Sequence, residues 1–373
     1  MNASKQLAIS VGGSKCAFAI VGGSPPAILA RSGRIEWTGE GITNVEAFVV
    51  MLARESLKLL KQARIPAAGV ERVGVAWPGP GNGGRFEATF IPGCQQPQPI
   101  PVLLRSALIA ALGSGFATVP RVVLDAVARA AGEARPGGAL YPSTANGMLV
   151  NVATGIASGL VRQGRALLAY PGIGENYGQS GRFLSFNTAL GEWHWRPTAD
   201  GTVPPHSPQE VRWTRHCAGP ALARRMAYWC DAHRLDASKQ NRAVTEALRH
   251  YKHEGAPRDT THEMTLLHWA TTEAGRHPEG PLGRFVEQVA TEIGTALRTL
   301  LQVFASENIG TIVLAGGVGE NFGRSEDLAH GTDDFLTNVQ QAVGKNGPRV
   351  CRAKLGVDAE FLGLASDSFV ATP

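Results

Sequence analysis

Residues 7–21 read LAISVGGSKCAFAIV, two apolar runs separated by Gly12-Gly13-Ser14-Lys15. Such runs around a glycine-rich centre predict two short strands joined by a tight turn. Because glycines lack Cβ atoms, the backbone N–H groups of this turn could approach an anion and form a nest. The same residues also suit a hairpin turn that binds nothing, so the turn by itself leaves both interpretations open.

The sequence after this hairpin alternates between helix and strand patterns. Helical spacing of apolar residues and short apolar runs follow one another, which predicts helices at 45–63, 102–112 and 126–134 and strands at 70–76 and 119–124. The strand at 70–76 stops at Pro78-Gly79-Pro80, a strong turn signal. This alternation predicts an α/β domain.

The second half of the chain repeats the design. A strand pair is predicted at 147–152 and 157–161, around the turn Ala153-Thr154-Gly155. Residues 170–211 are rich in Gly, Pro and aromatic residues with little periodicity, which predicts the least regular section. A strand at 311–314 runs directly into Gly316-Gly317. The remaining predicted elements are helices at 219–232, 239–251, 282–307, 332–343 and 358–369 and a strand at 349–352.

Length and composition limit the classes of protein. A chain of 373 residues suits two domains, and 43% hydrophobic with 18% charged residues is typical of globular proteins. The net charge of +5 comes from scattered residues without a dense basic run, which argues against nucleic acid as a partner. The 5 cysteines form no C-x-x-C pair and indicate reduced thiols. With no signal peptide and no apolar run of transmembrane length, the sequence predicts a cytoplasmic protein without a membrane partner.

Three glycine loops and one carboxylate together suit phosphoryl transfer. That reaction needs backbone amides around the phosphates, Mg²⁺ and a group that accepts the proton of the acceptor hydroxyl. The loops are Gly12-Gly13-Ser14-Lys15, Ala153-Thr154-Gly155 and Gly316-Gly317, each at a predicted strand end. Asp125 follows a predicted strand and precedes a helix, where it either caps the helix or acts as a base.

Several stretches, in the same order and at similar spacing, resemble motifs of the ROK family (repressor, open reading frame, kinase) of bacterial sugar kinases. The D-x-G-G-T-K phosphate hairpin of that family is similar to 10–15, SVGGSK, and its G-x-P-G-P loop to 76–80, AWPGP. Its N-D-x-x-A-x-A-x-x-E segment resembles 124–133, LDAVARAAGE. The family's later loops G-T-G-I-G, S-G-P-A-L and I-V-L-G-G-G-V resemble 153–157, ATGIA, 218–222, AGPAL, and 312–318, IVLAGGV.

The resemblance implies a fold and a set of roles. The fold would be the two-domain, actin-like ATPase architecture of hexokinase type with a cleft between lobes, 1–124 plus 356–373 forming the smaller lobe and 125–355 the larger. Asp125 would be the general base. The phosphates would contact Gly12, Gly13, Ser14, Lys15, Thr154 and Gly155, the adenosine would contact Gly316, Gly317 and Val318, and the substrate would contact Pro78 and Gly79.

The chain departs from the family pattern at informative positions. Ser10 replaces the aspartate near the metal and phosphates, so its own role toward the metal would be indirect. Leu124 replaces the asparagine that would bind a sugar hydroxyl, and the C-x-C-G-x-x-G-C zinc motif is absent, so no structural zinc is expected. The family's sugar-binding G-E-x-G-H has two imperfect counterparts, at 174–179, GENYGQ, and at 191–194, GEWH. Spacing favours Glu175 over Glu192 and His194, and each could instead serve only its local loop.

Two stretches with histidines do not predict chemistry. His216 lies beside Cys217, but neighbours on a helix point to different faces, which argues against a nucleophilic pair. Residues 250–277 contain five histidines at irregular spacing without a second type of ligand, unlike a zinc site.

The resulting hypothesis is an ATP- and Mg²⁺-dependent kinase that phosphorylates a hydroxyl of a sugar-like small molecule. The altered contacts favour an amino sugar, a cyclitol or a glycosylated metabolite over plain glucose, and a homodimer is a possible assembly. The alternative is a catalytically impaired, ROK-like protein that binds a sugar or nucleotide, which Ser10 motivates. A DNA-binding repressor is disfavoured because the hairpin begins by residue 7 and leaves no room for a preceding helix-turn-helix.

Overall fold

The computed structural model describes residues 5–38, 41–113, 119–142, 145–196, 208–235, 242–253, 259–324, 333–365 and 369–370. The chain divides into two units. Unit 1 contains Met1–Leu149, Ser158–Gly178 and Lys354–Pro373, and unit 2 contains Val150–Ala157 and Gln179–Ala353. The predicted lobe boundaries at 124/125 and 355/356 stay a prediction.

The strands and helices follow the alternation expected from the sequence. The strands are β1 (Lys5–Val11), β2 (Lys15–Gly22), β3 (Ala27–Arg31), β4 (Ile35–Glu36), β5 (Val70–Trp77), β6 (Gly81–Asn82), β7 (Arg85–Phe86), β8 (Arg121–Leu124), β9 (Asn146–Val152), β10 (Ile156–Arg162), β11 (Arg165–Leu167), β12 (Leu184–Asn187), β13 (Glu192–Trp195), β14 (Glu210–Arg212), β15 (Ile309–Ala315), β16 (Arg349–Arg352) and β17 (Phe369–Val370). The helices are α1 (Val45–Gln62), α2 (Ile100–Leu112), α3 (Asp125–Glu133), α4 (Ser180–Phe183), α5 (Trp213–Cys217), α6 (Gly219–Ala232), α7 (Arg242–Lys252), α8 (Thr260–Arg276), α9 (Pro281–Val303), α10 (Gly316–Asn321), α11 (Asp334–Val343) and α12 (Asp358–Leu364).

The main sheet of unit 1 has the strand order β3-β2-β1-β5-β8, with β4 beside β2. β1 and β2 form the predicted antiparallel hairpin, paired from Lys5↔Gly22 to Val11↔Cys16. β1 is parallel to β5, and β5 is parallel to β8. The parallel strands therefore end at one edge of the sheet.

The two faces of this sheet differ in side-chain size. Along β1, Leu7 and Ile9 join a buried cluster that also contains Phe48 of α1. The alternate residues include Ala8 and Ser10, which point to the opposite face because side chains alternate along a strand. A Cβ at Gly74 on β5 would lie 2.8 Å from Leu364 Cβ, so α12 packs closely against a face lined by small residues.

Two glycines allow α12 to cross α3 in close contact. A Cβ at Gly132 would overlap the carbonyl oxygen of Ala359, and a Cβ at Gly363 would overlap that of Ala128. Glu133 at the end of α3 is fully buried and accepts hydrogen bonds from the amide of Leu355 (2.8 Å), just before α12, and from two other amides. The carboxylate of the family-like segment 124–133 thus serves to anchor α12.

Unit 2 shows where the sequence-based expectation failed. The section 170–211 was expected to be irregular, but its described part contains an antiparallel sheet of order β13-β12-β14. Its strands are too short for a clear alternation pattern. Helix α8 was also not predicted, because its threonines and histidines blur the helical period.

The other unit 2 elements follow the expected patterns. The long helix α9 lies against α11, where Gly294 allows close contact with Val339 and Ala342. Parallel strands β15 and β16 pair from Thr311↔Arg349 to Leu314↔Arg352. Among the described helices of the chain, none combines the length and the apolar composition needed to cross a bilayer.

Candidate active site

The carboxyl ends of β1, β5 and β8 bring three predicted site segments to one edge of the unit 1 sheet. The glycine turn follows Val11, the Pro-Gly loop follows Trp77 and a carboxylate follows Leu124. In open α/β sheets, ligands bind at the carboxyl ends of parallel strands. We therefore take this edge as the candidate active site.

The glycine turn between β1 and β2 has room for a ligand. The Gly12 amide donates to the Lys15 carbonyl oxygen (2.8 Å) and closes the turn. A Cβ at Gly13 would meet no atom within 4 Å. Gly13 therefore leaves open space beside the turn, and its contact with a phosphate stays a prediction.

The segment around β4 holds the other residues of the turn. Trp37 donates its amide to the Ser14 carbonyl oxygen (3.2 Å) and its indole N–H to the Gly12 carbonyl oxygen (3.3 Å). Lys15 Nζ lies 3.0 Å from Glu36 Oε1. The two hydrogen bonds from Trp37 hold the backbone of the turn in place.

Asp125 is the first residue of α3 and keeps only a small exposed fraction. Its Oδ1 accepts a hydrogen bond from the adjacent Ala126 amide (2.7 Å). Burial raises the pKa of the Asp125 carboxyl to about 7, and the nearby Glu360 carboxylate adds to this rise, while the Ala126 amide and Arg129 oppose it. A carboxyl with this pKa can both accept and release a proton near neutral pH.

Glu360 is a site residue that the sequence analysis missed. Ser10 Oγ donates a hydrogen bond to Glu360 Oε2. Arg129 Nη2 lies 3.0 Å from Glu360 Oε1, and Arg129 Nε donates to the same oxygen (3.2 Å). A cavity of about 400 Å³ is lined by Ser10, Gly12, Lys15, Arg129 and Glu360 among others. The one signal for Glu360 in the sequence was its position as a carboxylate within a short, mostly apolar helix.

The loop after β5 is held rigidly. A Cβ at Gly79 would overlap the Glu87 carbonyl oxygen, which also accepts the indole N–H of Trp77 (2.7 Å). Pro78 precedes this contact. The glycine is thus explained by close backbone packing, and its role toward a substrate stays a prediction.

Glu175 lies beside a second cavity in unit 1. The cavity, about 240 Å³, is lined by Gly81, Phe86, Leu124, Val127 and Glu175 among others. Burial raises the pKa of the Glu175 carboxyl. Glu175 itself is exposed, and a carboxylate beside a largely apolar wall suits a ligand with both hydroxyl groups and a ring face.

The predicted nucleotide loops of unit 2 both contain tight backbone contacts. Ala153 donates its amide to the Gly155 carbonyl oxygen (2.9 Å), which closes the turn around Thr154. Gly316 has a φ of +83° and begins α10, where a Cβ would overlap Asn151 Oδ1. These contacts require glycine at 316 whether or not a nucleotide binds.

The residues next to Gly316 differ in what they expose. A Cβ at Gly317 would meet no atom within 4 Å, whereas Val318 is buried. Gly317 is therefore the residue of this pair that offers open backbone to a ligand.

Glu192 and His194 lie on β13 of unit 2, two residues apart and therefore on one face. Glu192 is exposed. His194 is half-buried, and its Nε2 has no hydrogen-bond partner among the described residues. An unpaired imidazole nitrogen is a group that a ligand hydroxyl could satisfy.

Comparisons with known proteins agree on the architecture. No family model and no curated protein matches the chain. A ROK hexokinase from Thermus thermophilus matches over 97% of this chain and 96% of its own, with 21% identity and a TM-score of 0.61. A ROK family glucokinase from Streptomyces griseus, solved with glucose and AMPPNP, is 18% identical, with a TM-score of 0.63 over 97% of this chain and 98% of its own. A ROK family transcriptional regulator, a homologue of the E. coli MLC protein, is 13% identical, with a TM-score of 0.59 over 97% of this chain and 77% of its own.

The chain shares the fold of these solved ROK proteins. The predicted α/β fold of actin-like ATPase, hexokinase type is confirmed, and so is the resemblance to ROK sugar kinases at the level of the fold. Ser10 stands where the ROK hairpin motif has an aspartate, and its hydroxyl donates a hydrogen bond to the Glu360 carboxylate. Leu124, in place of the motif's asparagine, is buried, and its Cδ2 would overlap a Cβ at Gly178. Position 124 is therefore part of the packing of unit 1.

A further cluster of polar side chains lies in unit 2. His216 Nε2 is 3.2 Å and Cys217 Sγ 4.0 Å from the same oxygen of Glu292, so the expectation that the two neighbours point apart was wrong. Arg225 donates to both oxygens of Glu292 (2.7 and 2.9 Å), which opposes a metal ion there. Burial raises the pKa of the Cys217 thiol, which disfavours the thiolate that a nucleophile or ligand needs.

Proposed function

We propose that this protein is an ATP-dependent kinase that phosphorylates a hydroxyl of a sugar or sugar-like molecule, with Asp125 as the general base. The observation that carries the proposal is the position of α3. Its residue Val127, with Leu124 just before the helix, borders the cavity with Glu175, and Arg129 borders the cavity with the glycine turn. Asp125 thus lies on the short helix that adjoins both cavities, one suited to an acceptor and one to phosphates.

In the proposed reaction, the acceptor oxygen forms a bond to the γ-phosphorus of ATP as the bond from that phosphorus to the β,γ-bridging oxygen breaks. Asp125 takes the proton of the acceptor hydroxyl, and ADP leaves with the electron pair of the broken bond. The open backbone at Gly13 would donate to the phosphates. Mg²⁺ supplies charge neutralisation for the phosphates when bound.

The cavity beside the glycine turn is lined by four basic residues, Lys15, Arg31, Arg34 and Arg129, and by the carboxylate of Glu360. This lining suits the phosphates of ATP, and Mg²⁺ would arrive bound to those phosphates. We assign the remaining family-derived contacts on the resemblance alone. The ATP contacts are Ser14, Lys15, Thr154, Gly155, Gly316, Gly317 and Val318. The acceptor contacts are Pro78 and Gly79, together with Glu175, Glu192 or His194.

The acceptor is proposed to differ from plain glucose. Leu124 offers a methyl surface where the family motif has an amide, so one hydrogen bond to a sugar hydroxyl is lost and an apolar contact is gained. An amino sugar, a cyclitol or a glycosylated metabolite fits that change. The Streptomyces griseus enzyme of the same fold was solved with glucose and AMPPNP, which supports the general class of a sugar and ATP.

A second candidate function is binding without turnover. Ser10, which lacks the carboxylate of the family motif, favours it, and a transcriptional regulator shares the fold. ADP release from Mg-ATP across a panel of sugars, amino sugars and cyclitols separates the two functions. The kinase proposal expects release that depends on one class of acceptor, and the second candidate expects ligand binding with no ADP from any acceptor.

The rate should depend on pH through Asp125. Because the pKa of Asp125 is raised to about 7, its carboxylate form is lost as the pH falls through 7. We expect kcat/KM to be level above that pH and to fall about tenfold per pH unit below it. Initial rates from pH 5 to 9 measure this, and a profile that stays level down to pH 5 would exclude Asp125 as a base with this pKa.

Chelation should affect turnover and stability differently. Mg²⁺ would arrive with ATP, and the sequence has no zinc motif, so EDTA should stop ADP release while the melting temperature of the ligand-free protein stays unchanged. Added Mg²⁺ should restore the rate. A large fall in melting temperature with EDTA would indicate a structural metal and contradict the expectation.

A further inference from the structure

The small sheet of unit 2 carries a row of polar side chains on one face. In the register of β12 with its two neighbours, Ser185 is the partner of His194 on β13 and of Arg212 on β14. Directly opposed residues of neighbouring strands place their side chains on the same face of a sheet. His194, Ser185 and Arg212 therefore form one row across three strands, and the row ends in a guanidinium.

Two further arginines lie beside Arg212. Arg182 comes from α4, which packs tightly against α5, since a Cβ at the preceding Gly181 would lie 2.1 Å from Thr214 Oγ1. Arg212 comes just before α5 and Arg215 lies within it, on either side of that threonine. Burial lowers the pKa of the Arg212 guanidinium, and the positive charges of Arg215 and Arg182 lower it further. Three arginines thus share one region of unit 2.

Two carboxylates on the same face of the sheet form a neighbouring row. Glu192 and Glu210 are both register partners of Asn187. Glu192 is exposed, and Glu210 Oε1 lies 2.7 Å from Arg196 Nη2, so a fourth arginine engages Glu210. Two carboxylates and four arginines leave net positive charge. Like charges held close together in a partly buried region cost free energy unless an anion offsets them, so the region favours an anionic ligand.

Ser185 adds a polar group that lacks a partner to the middle of the row. It is 1% exposed, and its Oγ has no hydrogen-bond partner among the described residues. A buried polar group without a partner costs free energy, which a ligand that hydrogen-bonds to it recovers. Arginine side chains bind phosphate through two parallel hydrogen bonds, and a neighbouring hydroxyl can donate to a further phosphate oxygen.

We propose that Arg182, Arg212 and Arg215 form a binding site for the phosphate group of a small ligand, with the Ser185 hydroxyl as a further donor. All four residues belong to unit 2. The site takes its charge from α4, β14 and α5 and its hydroxyl from β12. A neutral ligand of the same size would leave the crowded guanidiniums without compensation.

Two kinds of ligand carry such a phosphate. A sugar phosphate also has hydroxyl groups for His194, whose Nε2 has no hydrogen-bond partner among the described residues. A nucleotide is the other source, because the Ile156 amide donates to Thr214 Oγ1 (3.3 Å) and so places the turn around Thr154 close to the arginines. The inference concerns binding alone and does not require the proposed kinase reaction.

Calorimetry of the intact protein with glucose 6-phosphate, glucose and AMPPNP tests the site. We expect at least one of the two phosphorylated ligands to bind with an affinity that Arg212→Gln and Arg215→Gln lower by about 10-fold or more, because each variant loses hydrogen bonds between charged groups. Arg212→Lys keeps the charge but loses the planar fork, so its loss of affinity should be intermediate. Glucose binding should not change in any of these variants.

A control variant and a stability measurement separate binding from a structural role. Arg224→Gln is the matched control for Arg215→Gln, since both arginines are exposed on helices of unit 2, and it should leave every affinity unchanged. The melting temperature of ligand-free Arg215→Gln should be unchanged or higher, because a repelling charge is removed. Because Arg215 is exposed, this variant keeps the test decisive even where Arg212→Gln does not fold.

The two phosphorylated ligands identify the source of the phosphate. A loss of affinity for glucose 6-phosphate supports a sugar phosphate site, and a loss for AMPPNP supports a nucleotide phosphate site. Unchanged affinities for both in Arg212→Gln and Arg215→Gln, or an equal loss in Arg224→Gln, would overturn the inference. Wild-type protein that still binds AMPPNP in that case would leave the proposed kinase function standing. Wild-type protein that binds neither phosphorylated ligand would overturn the inference as well.

Discussion

The Asp125→Asn variant should lose about 10²- to 10⁴-fold in kcat, the usual cost of removing a general base. Asparagine keeps an oxygen that can accept the Ala126 amide hydrogen bond now made by Asp125, so the start of α3 should remain intact. What it loses is the carboxylate whose pKa of about 7 lets it take a proton. Steady-state rates give kcat, and calorimetry with AMPPNP should give nearly unchanged nucleotide affinity.

A purely structural role for Asp125 is tested by a matched residue. Asp259 also lies at a helix start, where it accepts the amides of Thr261 and His262 at the beginning of α8. Asp259→Asn should change stability slightly and leave kcat within about twofold, because it affects only the cap of α8 and a contact with the His262 ring. Wild-type turnover in Asp125→Asn, or an equal loss of rate in both variants, would remove Asp125 from the mechanism.

The Gly132→Ala variant should have the largest effect on stability. The added Cβ would overlap the backbone carbonyl oxygen of Ala359, so α12 must move away from α3 instead of one side chain changing rotamer. Overpacking of this kind typically costs about 1–3 kcal/mol or more. For a unit of this size the melting temperature should fall by about 5 °C or more, which calorimetric or spectroscopic melting measures.

Gly33→Ala is the control for Gly132→Ala. A Cβ at Gly33 would meet no atom within 4 Å, so alanine should leave the melting temperature within about 1 °C. A Gly132→Ala protein as stable as the Gly33→Ala protein would show that the two helices do not pack as closely as described.

Local sequence patterns predicted the elements that form the edge of the unit 1 sheet. The hairpin around Gly12-Gly13-Ser14-Lys15 and the strand before Asp125 are short-range features, governed by turn chemistry and apolar runs, and both are observed. The strand before Pro78 is likewise observed. The three glycine loops also follow strands, as predicted, because β1 ends at Val11, β9 at Val152 and β15 at Ala315.

Long-range contacts could not be predicted in the same way. The approach of Glu360 to Ser10 depends on the crossing of α3 and α12, which is set by glycines whose purpose is invisible without the partner helix. Likewise, neighbours on a helix were expected to point to different faces, but His216 and Cys217 both approach the Glu292 carboxylate, which α9 contributes. Leu124 illustrates a third case, because its burial against Gly178 follows from packing between distant segments.

The central claim is transfer of a phosphoryl group from ATP to an acceptor hydroxyl, and one measurement tests it most directly. Wild-type protein is incubated with Mg-ATP and the panel of sugars, amino sugars and cyclitols in ¹⁸O-labelled water, and the products are analysed by mass spectrometry. The account predicts one class of acceptor that gains a phosphoryl group without ¹⁸O, because its own hydroxyl oxygen attacks the phosphorus. Protein that binds Mg-ATP but yields no phosphorylated acceptor, or only ¹⁸O-labelled inorganic phosphate, would contradict it.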